Sequence, residues 1–275
     1  MIHDFELLHD DNSRRVPVRA YKQTSDPQGW IIFSVGYGGD RTGYSFMAKA
    51  WAELGFHVYV VEHVGSNLEV LRSFPPMRLA ERQQEVVRRV QLPDELYARP
   101  RDLLLVYSTF KNDYRGLGLG LAGHSYGSYS VLASTGLAPL KVPRLEDPVA
   151  AQGLLIISPQ PPGMLYGSDE LAKVKIPTLL LTGTKDDHLT GESSYKDRVL
   201  VYQDLAPEIR HLVVLKDCEH MTFAGLGLGI EKRLSAIREV TSVWWGRILD
   251  GSSSPEPWGS ELWSPSLEAE VEECR

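Results

Sequence analysis

The sequence predicts an α/β fold built on a mostly parallel, eight-stranded sheet, opened by an antiparallel N-terminal hairpin and covered by helices on both faces. Three observations predict it. Short apolar runs alternate with longer amphipathic stretches through most of the 275 residues. Several runs are uninterrupted, among them Leu154-Leu155-Ile156-Ile157 and Thr178-Leu179-Leu180-Leu181, which fits strands buried on both faces. One run ends in a serine bracketed by glycines and followed at once by a helical pattern.

In chain order, strands are expected at Phe5–Leu8, Val16–Tyr21, Trp30–Val35, His57–Val61, Leu117–Ala122, Gly153–Ile157, Pro177–Leu181 and Leu212–Leu215. The polar turn Asp10-Asp11-Asn12-Ser13 joins the first two as a hairpin. Helices are expected at Tyr44–Leu54, Arg101–Phe110 and Glu231–Leu249, which carry recurrent apolar residues, and at Ser125–Ser134, which follows one strand directly. Strands alternating with helices imply βαβ units with right-handed crossovers.

Two segments stand outside this alternation. Residues 66–100 are long and charged, with a helical stretch over Met77–Val90. They read either as a solvated surface helix or as a cap or rim over the site, because long insertions in compact domains often serve as lids. Residues 251–275 are rich in Gly, Ser, Pro and Glu, with Trp258 and Trp263 interspersed, and read as a flexible tail on a single domain spanning 1–250.

Composition narrows the function. A net charge of −7 gives no basic stripe to displace counterions, so no nucleic-acid partner is expected. No run reaches the length of a membrane helix, and the N-terminus lacks a basic segment followed by an apolar one; the expected location is cytoplasmic, with no membrane partner. The two cysteines, Cys218 and Cys274, make neither a disulfide framework nor a metal-ligand spacing.

The chemistry is carried by Gly123-His124-Ser125-Tyr126-Gly127, a G-x-S-x-G motif between a glycine-rich strand and a helix. A sharp turn there strains the serine and lifts its hydroxyl, and flanking Cβ atoms would collide with the neighbouring strand and helix. Ser125 is therefore the candidate nucleophile. A serine needs a base and an orienting acid, and in this strand–turn–helix architecture they follow in the order acid, then histidine. The run Thr178–Leu181 leads to Asp186-Asp187, with Asp186 preferred as the acid and Asp187 as the alternative. The last strand leads to His220, the expected base. His188 precedes that strand and is set aside, His124 reads as a packing residue, and Cys218 lacks an elbow and reads as a buried small side chain. Gly36-Tyr37-Gly38-Gly39 follows the Trp30–Val35 run, so the backbone N–H groups of Tyr37 and Tyr126 are the expected oxyanion donors. Tyr37, Tyr126, Met164, Leu165, Tyr166 and Met221 are candidates for lining an apolar substrate pocket.

With these residues assembled, the chain resembles the bacterial predicted dienelactone hydrolases, close to platelet-activating-factor acetylhydrolase-like and polyester-hydrolase-like members of the α/β-hydrolase fold. The likeness rests on Gly36-Tyr37-Gly38-Gly39 with Arg41-Thr42-Gly43-Tyr44, Glu62-His63-Val64-Gly65-Ser66-Asn67, Ser158-Pro159-Gln160-Pro161-Pro162-Gly163, and the acid and histidine loops Thr182–Asp187 and His220–Phe223. It departs from that group in having Val35 where His usually precedes the first glycine. True dienelactone hydrolases carry a cysteine nucleophile where this elbow has Ser125. The resemblance implies a Ser–His–Asp esterase acting on a small-molecule ester, with no cofactor and no metal. The competing expectations are the same triad acting on an amide, thioester or lactone, and a non-catalytic binding or scaffold protein on the same fold.

Overall fold

The computed structural model describes residues 1–10, 14–187, 194–249 and 263–275. The hairpin turn at 11–13, His188 and Trp258 lie outside the described residues. Strands β1 (Ile2–Leu8), β2 (Arg15–Tyr21) and β3 (Gly29–Ser34) lead to helix α1 (Ser45–Glu53) and β4 (Phe56–Val61). Helices α2 (Leu68–Arg72), α3 (Leu79–Arg89) and α4 (Pro93–Phe110) follow, then β5 (Gly118–His124) and α5 (Tyr126–Ser134). The second half runs β6 (Gly153–Ile157), α6 (Ser168–Leu171), β7 (Thr178–Lys185), α7 (Tyr195–Asp204) and β8 (Arg210–Glu219). A 3₁₀ turn (His220–Ala224), α8 (Glu231–Leu249), α9 (Pro265–Glu270) and β9 (Val271–Cys274) complete the chain.

Among the described residues, nine strands form one sheet in the order β1-β2-β4-β3-β5-β6-β7-β8-β9. Strands β4, β3, β5, β6, β7 and β8 are mutually parallel, while β1 and β2 form the antiparallel hairpin and β2 joins β4 antiparallel. The uninterrupted runs have a direct cause. Trp30 and Ile32 of β3 enter one core and Ile31 and Phe33 the other, and Leu154 and Ile156 of β6 oppose Leu155 and Ile157 in the same way. With cores on both faces, neither side of these strands can be polar.

The ninth strand was not expected. Residues 263–275 are not a flexible tail: Ser264 caps α9 through its hydroxyl, Leu267 is buried, and β9 pairs antiparallel with β8. The helix expected from Arg101 starts a full two turns earlier, at Pro93, a residue suited to the first turn because it has no N–H to leave unpaired. Helix α7 was likewise unforeseen; Ser194 and Asp197 cap its start reciprocally. Among the described residues, no helix is long and apolar enough to cross a membrane.

Candidate active site

The parallel strands deliver three loops to one edge of the sheet. At the end of β5, Ser125 adopts φ 54° and ψ −122°, a conformation that costs a non-glycine residue about 1–3 kcal/mol and persists only when its surroundings enforce it. The flanking glycines allow it. A Cβ on Gly123 would lie 2.3 Å from the Gly127 carbonyl oxygen, and one on Gly127 would lie 2.0 Å from that of Ser34. The turn therefore packs backbone on backbone, and the serine hydroxyl stands at the N-terminus of α5.

The other two loops reach it. Ser125 Oγ lies 3.0 Å from His220 Nε2, and His220 Nδ1 lies 2.8 Å from Asp186 Oδ1. The hydroxyl donates to Nε2, so Nδ1 carries the ring hydrogen and donates to the carboxylate. Strands β7 and β8 shift register between Gly183 and Lys185, an irregularity of the kind that re-aims side chains at strand ends. Asp186 is fully buried while Asp187 is exposed, and Asp187 contributes its backbone carbonyl to Arg198.

Asp186 is held ionised. Burial would raise its pKa, but His220, Arg198 and the hydrogen bonds to the carboxylate outweigh it and keep the group below the ordinary carboxylate range. Thr182 donates to Oδ2 at 2.8 Å. Arg198, a residue of α7, approaches Oδ1 at 3.1 Å and also donates to the backbone carbonyls of Asp186, Ser158 and Pro159. Behind His220, the His124 ring lies tilted at 39° with ring centroids 4.7 Å apart, and Tyr44 Oη lies 2.9 Å from His124 Nδ1. Burial and then the neighbouring His220 push the His124 pKa well down, so this ring stays neutral.

The early glycine loop lies against the same site. The N–H groups of Gly36, Gly38 and Gly39 have acceptors in Tyr44 Oη, the Ser66 carbonyl and the Gly36 carbonyl. Among the described hydrogen bonds, the Tyr37 N–H has none, which leaves it available to a ligand. The Gln160 side-chain amide lies against the Tyr126 N–H and the Ser125 carbonyl; turned with its oxygen toward the N–H, it accepts from Tyr126 at 3.2 Å and donates to the Ser125 carbonyl at 3.3 Å.

A cavity of about 210 Å³ opens over Ser125 and His220, lined by Tyr37, Met164 and Met221 as expected. Leu71 of α2, Leu79, Val86 and Val87 of α3, and Val90 just beyond α3 form much of its apolar wall, so the charged excursion turns an apolar face to the site. Three expected lining residues do not reach it. Leu165 and Tyr166 are buried in the core, with Tyr166 Oη donating to the Tyr129 carbonyl. The Tyr126 ring lies beneath the elbow, stacked on Tyr129. Adjacent residues cannot all face one cavity: Met164 points in, and its two successors point into the protein.

Arg198 and Gln160 are the site residues the motifs did not reveal. Cys218 is buried and makes the expected packing contact, since a Cβ on Gly183 would lie 2.5 Å from its Cβ. Among the described residues, no group of three or more His, Cys, Asp or Glu side chains is arranged to hold a metal ion.

The architecture is the α/β-hydrolase fold. The chain is similar to the esterase domain of a Rhodothermus marinus protein, with a TM-score of 0.59 and 13% sequence identity, over 90% of this chain and 99% of that one. At this identity the likeness is one of fold. No protein-family model and no curated protein matches the chain.

Proposed function

We propose that this chain is a serine hydrolase that cleaves carboxylic esters by way of an acyl-enzyme. The observation that carries the reading is the unbroken chain from Ser125 Oγ through His220 to Asp186, with separations of 3.0 and 2.8 Å, at a strained elbow that borders a cavity.

In this mechanism Ser125 Oγ attacks the ester carbonyl carbon as its proton passes to His220 Nε2. Asp186 stabilises the resulting imidazolium without taking its proton. The carbonyl oxygen, now negative, accepts from the N–H groups of Tyr37 and Tyr126. To do so it displaces or shares the Gln160 amide that lies against the Tyr126 N–H in the free protein. Collapse of the tetrahedral species breaks the carbon–oxygen bond of the ester, and His220 returns the proton to the departing alcohol. Water then attacks the acyl-serine, and the same base takes its proton.

The apolar wall built by Leu71, Leu79, Val86, Val87 and Val90 favours esters with an aliphatic or aromatic acyl group of short to medium length. The four motif stretches favour a place beside the dienelactone-hydrolase-like and platelet-activating-factor acetylhydrolase-like serine esterases.

The test is covalent labelling with a fluorophosphonate, followed by turnover of p-nitrophenyl esters against matched anilides, thioesters and lactones. Wild-type protein is expected to label at Ser125, and Ser125→Ala to remain unlabelled with turnover reduced on the order of 10⁴-fold or more. Equal labelling of the two, or none of either, overturns the reading. Faster turnover of an amide, thioester or lactone would reassign the bond while keeping the machinery.

A further inference from the structure

A second Ser–His–Asp chain lies beneath the site. His63 Nδ1 is 2.8 Å from Asp102 Oδ2, and His63 Nε2 is 2.8 Å from Ser34 Oγ. All three residues are fully buried, none borders the catalytic cavity, and Ser34 ends an extended strand instead of an elbow. This chain cannot meet a substrate, so its polar groups require another explanation.

Arg99 supplies one. Its side chain is wholly buried and reaches into the space between the two halves of the oxyanion site. Nε donates to Ser130 Oγ at 2.8 Å, Nη1 to Ser66 Oγ at 2.8 Å, and Nη2 to Ser34 Oγ at 3.4 Å and to the Val35 carbonyl. The guanidinium carbon sits 4.3 Å from the centre of the Tyr126 ring, a favourable placement for a cation. The Val35 carbonyl immediately precedes Gly36-Tyr37. Ser66, held by Nη1, accepts through its backbone carbonyl from the Gly38 N–H at 2.7 Å. The loop carrying the Tyr37 amide is thus tied on both sides to one guanidinium, and Tyr126 and Ser130 tie α5 to the same group.

The hydrogen bonds also run in one direction. Arg99 donates to Ser34, Ser34 to His63, and His63 to Asp102. Burial, then the Arg99 charge, lowers the His63 pKa to about 3, so the ring is neutral and its Nε2 is free to accept. Burial would raise the Asp102 pKa, but hydrogen bonds from His63 and His9 and the charge of Arg14 hold it far below the carboxylate range. Arg14 grips that carboxylate through Nε and Nη2 at 3.0 Å. The buried cation is connected to a buried anion through a neutral serine and histidine.

We propose that Arg99 is a positioning residue that sets the spacing between the Tyr37 and Tyr126 amides, with Ser34, His63 and Asp102 fixing its own orientation. The proposal rests on the reading of Ser125 as nucleophile and of those amides as oxyanion donors. Lysine cannot replace the planar fork, because one ammonium cannot reach acceptors on three separate elements in that geometry.

The test uses the full-length chain, with active sites counted by end-point fluorophosphonate labelling so that rates refer to competent protein only. In Arg99→Met and Arg99→Lys, kcat per labelled serine is expected to fall on the order of 10²-fold. KM for a p-nitrophenyl ester is expected to stay within about threefold, the signature of an interaction realised in the transition state. Affinity for a trifluoromethyl ketone is expected to fall in step with kcat/KM. Ser66→Ala removes one strut without removing the charge, and about a tenfold fall in kcat is expected; if the Arg99 variants do not fold, this variant decides. Wild-type kcat per site in the Arg99 and Ser66 variants, or a fall confined to the labelled fraction, overturns the positioning role while leaving the serine-hydrolase reading intact. A wild-type chain that neither labels nor turns over esters overturns both.

Discussion

Arg198 grips Asp186 at two points, donating to its backbone carbonyl at 2.8 Å and approaching its carboxylate at 3.1 Å. The same guanidinium lies 3.3 Å from His220 Nδ1. Because that nitrogen donates to Asp186, the guanidinium stands beside the imidazole as a neighbouring charge and the carboxylate bridges the two. Arg198 therefore fixes where the carboxylate points and shares its charge with His220. Arg198→Lys is expected to fold and to lose roughly tenfold or more in kcat, because the fork that joins four carbonyls and a carboxylate is gone. Arg198→Met is expected to lose stability as well, by about 3–5 kcal/mol, the usual cost of stripping one partner from a buried pair. Steady-state kinetics and urea unfolding check both.

The cap should set acyl length. Val86 and Val87 wall a cavity of about 210 Å³ above Ser125. Val87→Trp is expected to leave p-nitrophenyl acetate turnover within about threefold of wild type and to cut octanoate turnover by tenfold or more, since each misplaced methylene is worth roughly 1–3 kcal/mol in an apolar pocket. A chain-length series of esters measures it. An unchanged series would remove α3 from the binding site.

The thiols should be inert in the native protein. Burial pushes the Cys218 pKa up to about 12 and that of Cys274 up to about 11, leaving almost no thiolate at neutral pH. Iodoacetamide at pH 8 is expected to spare ester turnover and to alkylate both residues only after unfolding. Inactivation by modification of Cys218 would instead point to a cysteine mechanism.

Stability should fall early on acidification. Burial lowers the pKa values of His57, His63, His124 and His211, that of His63 to about 3. Each is depressed in the folded chain, so below its unfolded value of about 6.5 the unfolded state binds protons that the native state does not. The contribution is present above that pH and is lost as pH falls. The depressed carboxylates Asp102 and Asp186 act only lower, below their unfolded values near 3.9. Urea unfolding between pH 7 and 4.5 is therefore expected to show a slope steeper than about 1.4 kcal/mol per pH unit, the limit for a single proton. A flat profile would contradict neutral burial of these rings.

Much of this arrangement is legible in the sequence because its causes are local. A strand buried on both faces must be apolar throughout, and the elbow's glycines are visible as a pattern around Ser125, although the clash that requires Gly127 is with the distant Ser34 carbonyl. Asp186 and His220 follow from chain order and strand ends. The sequence prefers Asp186 to Asp187 without a physical reason to exclude the second; burial of Asp186 and exposure of Asp187 supply one. What the sequence does not show depends on distant partners. Arg99 sits in the 66–100 segment whose charge reads as a wet surface, and Asp102 at the start of the expected helix Arg101–Phe110, yet both are buried because Ser34, His63 and Arg14 converge on them from other elements. Arg198 was hidden because α7 buries the contiguous pairs Arg198-Val199 and Val201-Tyr202, which gives no clean helical stripe. Leu165 and Tyr166 were misplaced because proximity in sequence to Met164 says nothing about which way a loop residue turns.

The pairing of β9 along β8 has a consequence for how the protein behaves in a crowded solution. Without Val271–Cys274, the strand that leads into His220 would present bare backbone amides and carbonyls along a hydrophobic ladder, an invitation to edge-to-edge association between molecules. The covering strand is short and carries Glu272 and Glu273, so the border it presents in turn is charged. The last residues of the chain thus act as a selvedge, and a truncated protein should betray their loss first as turbidity.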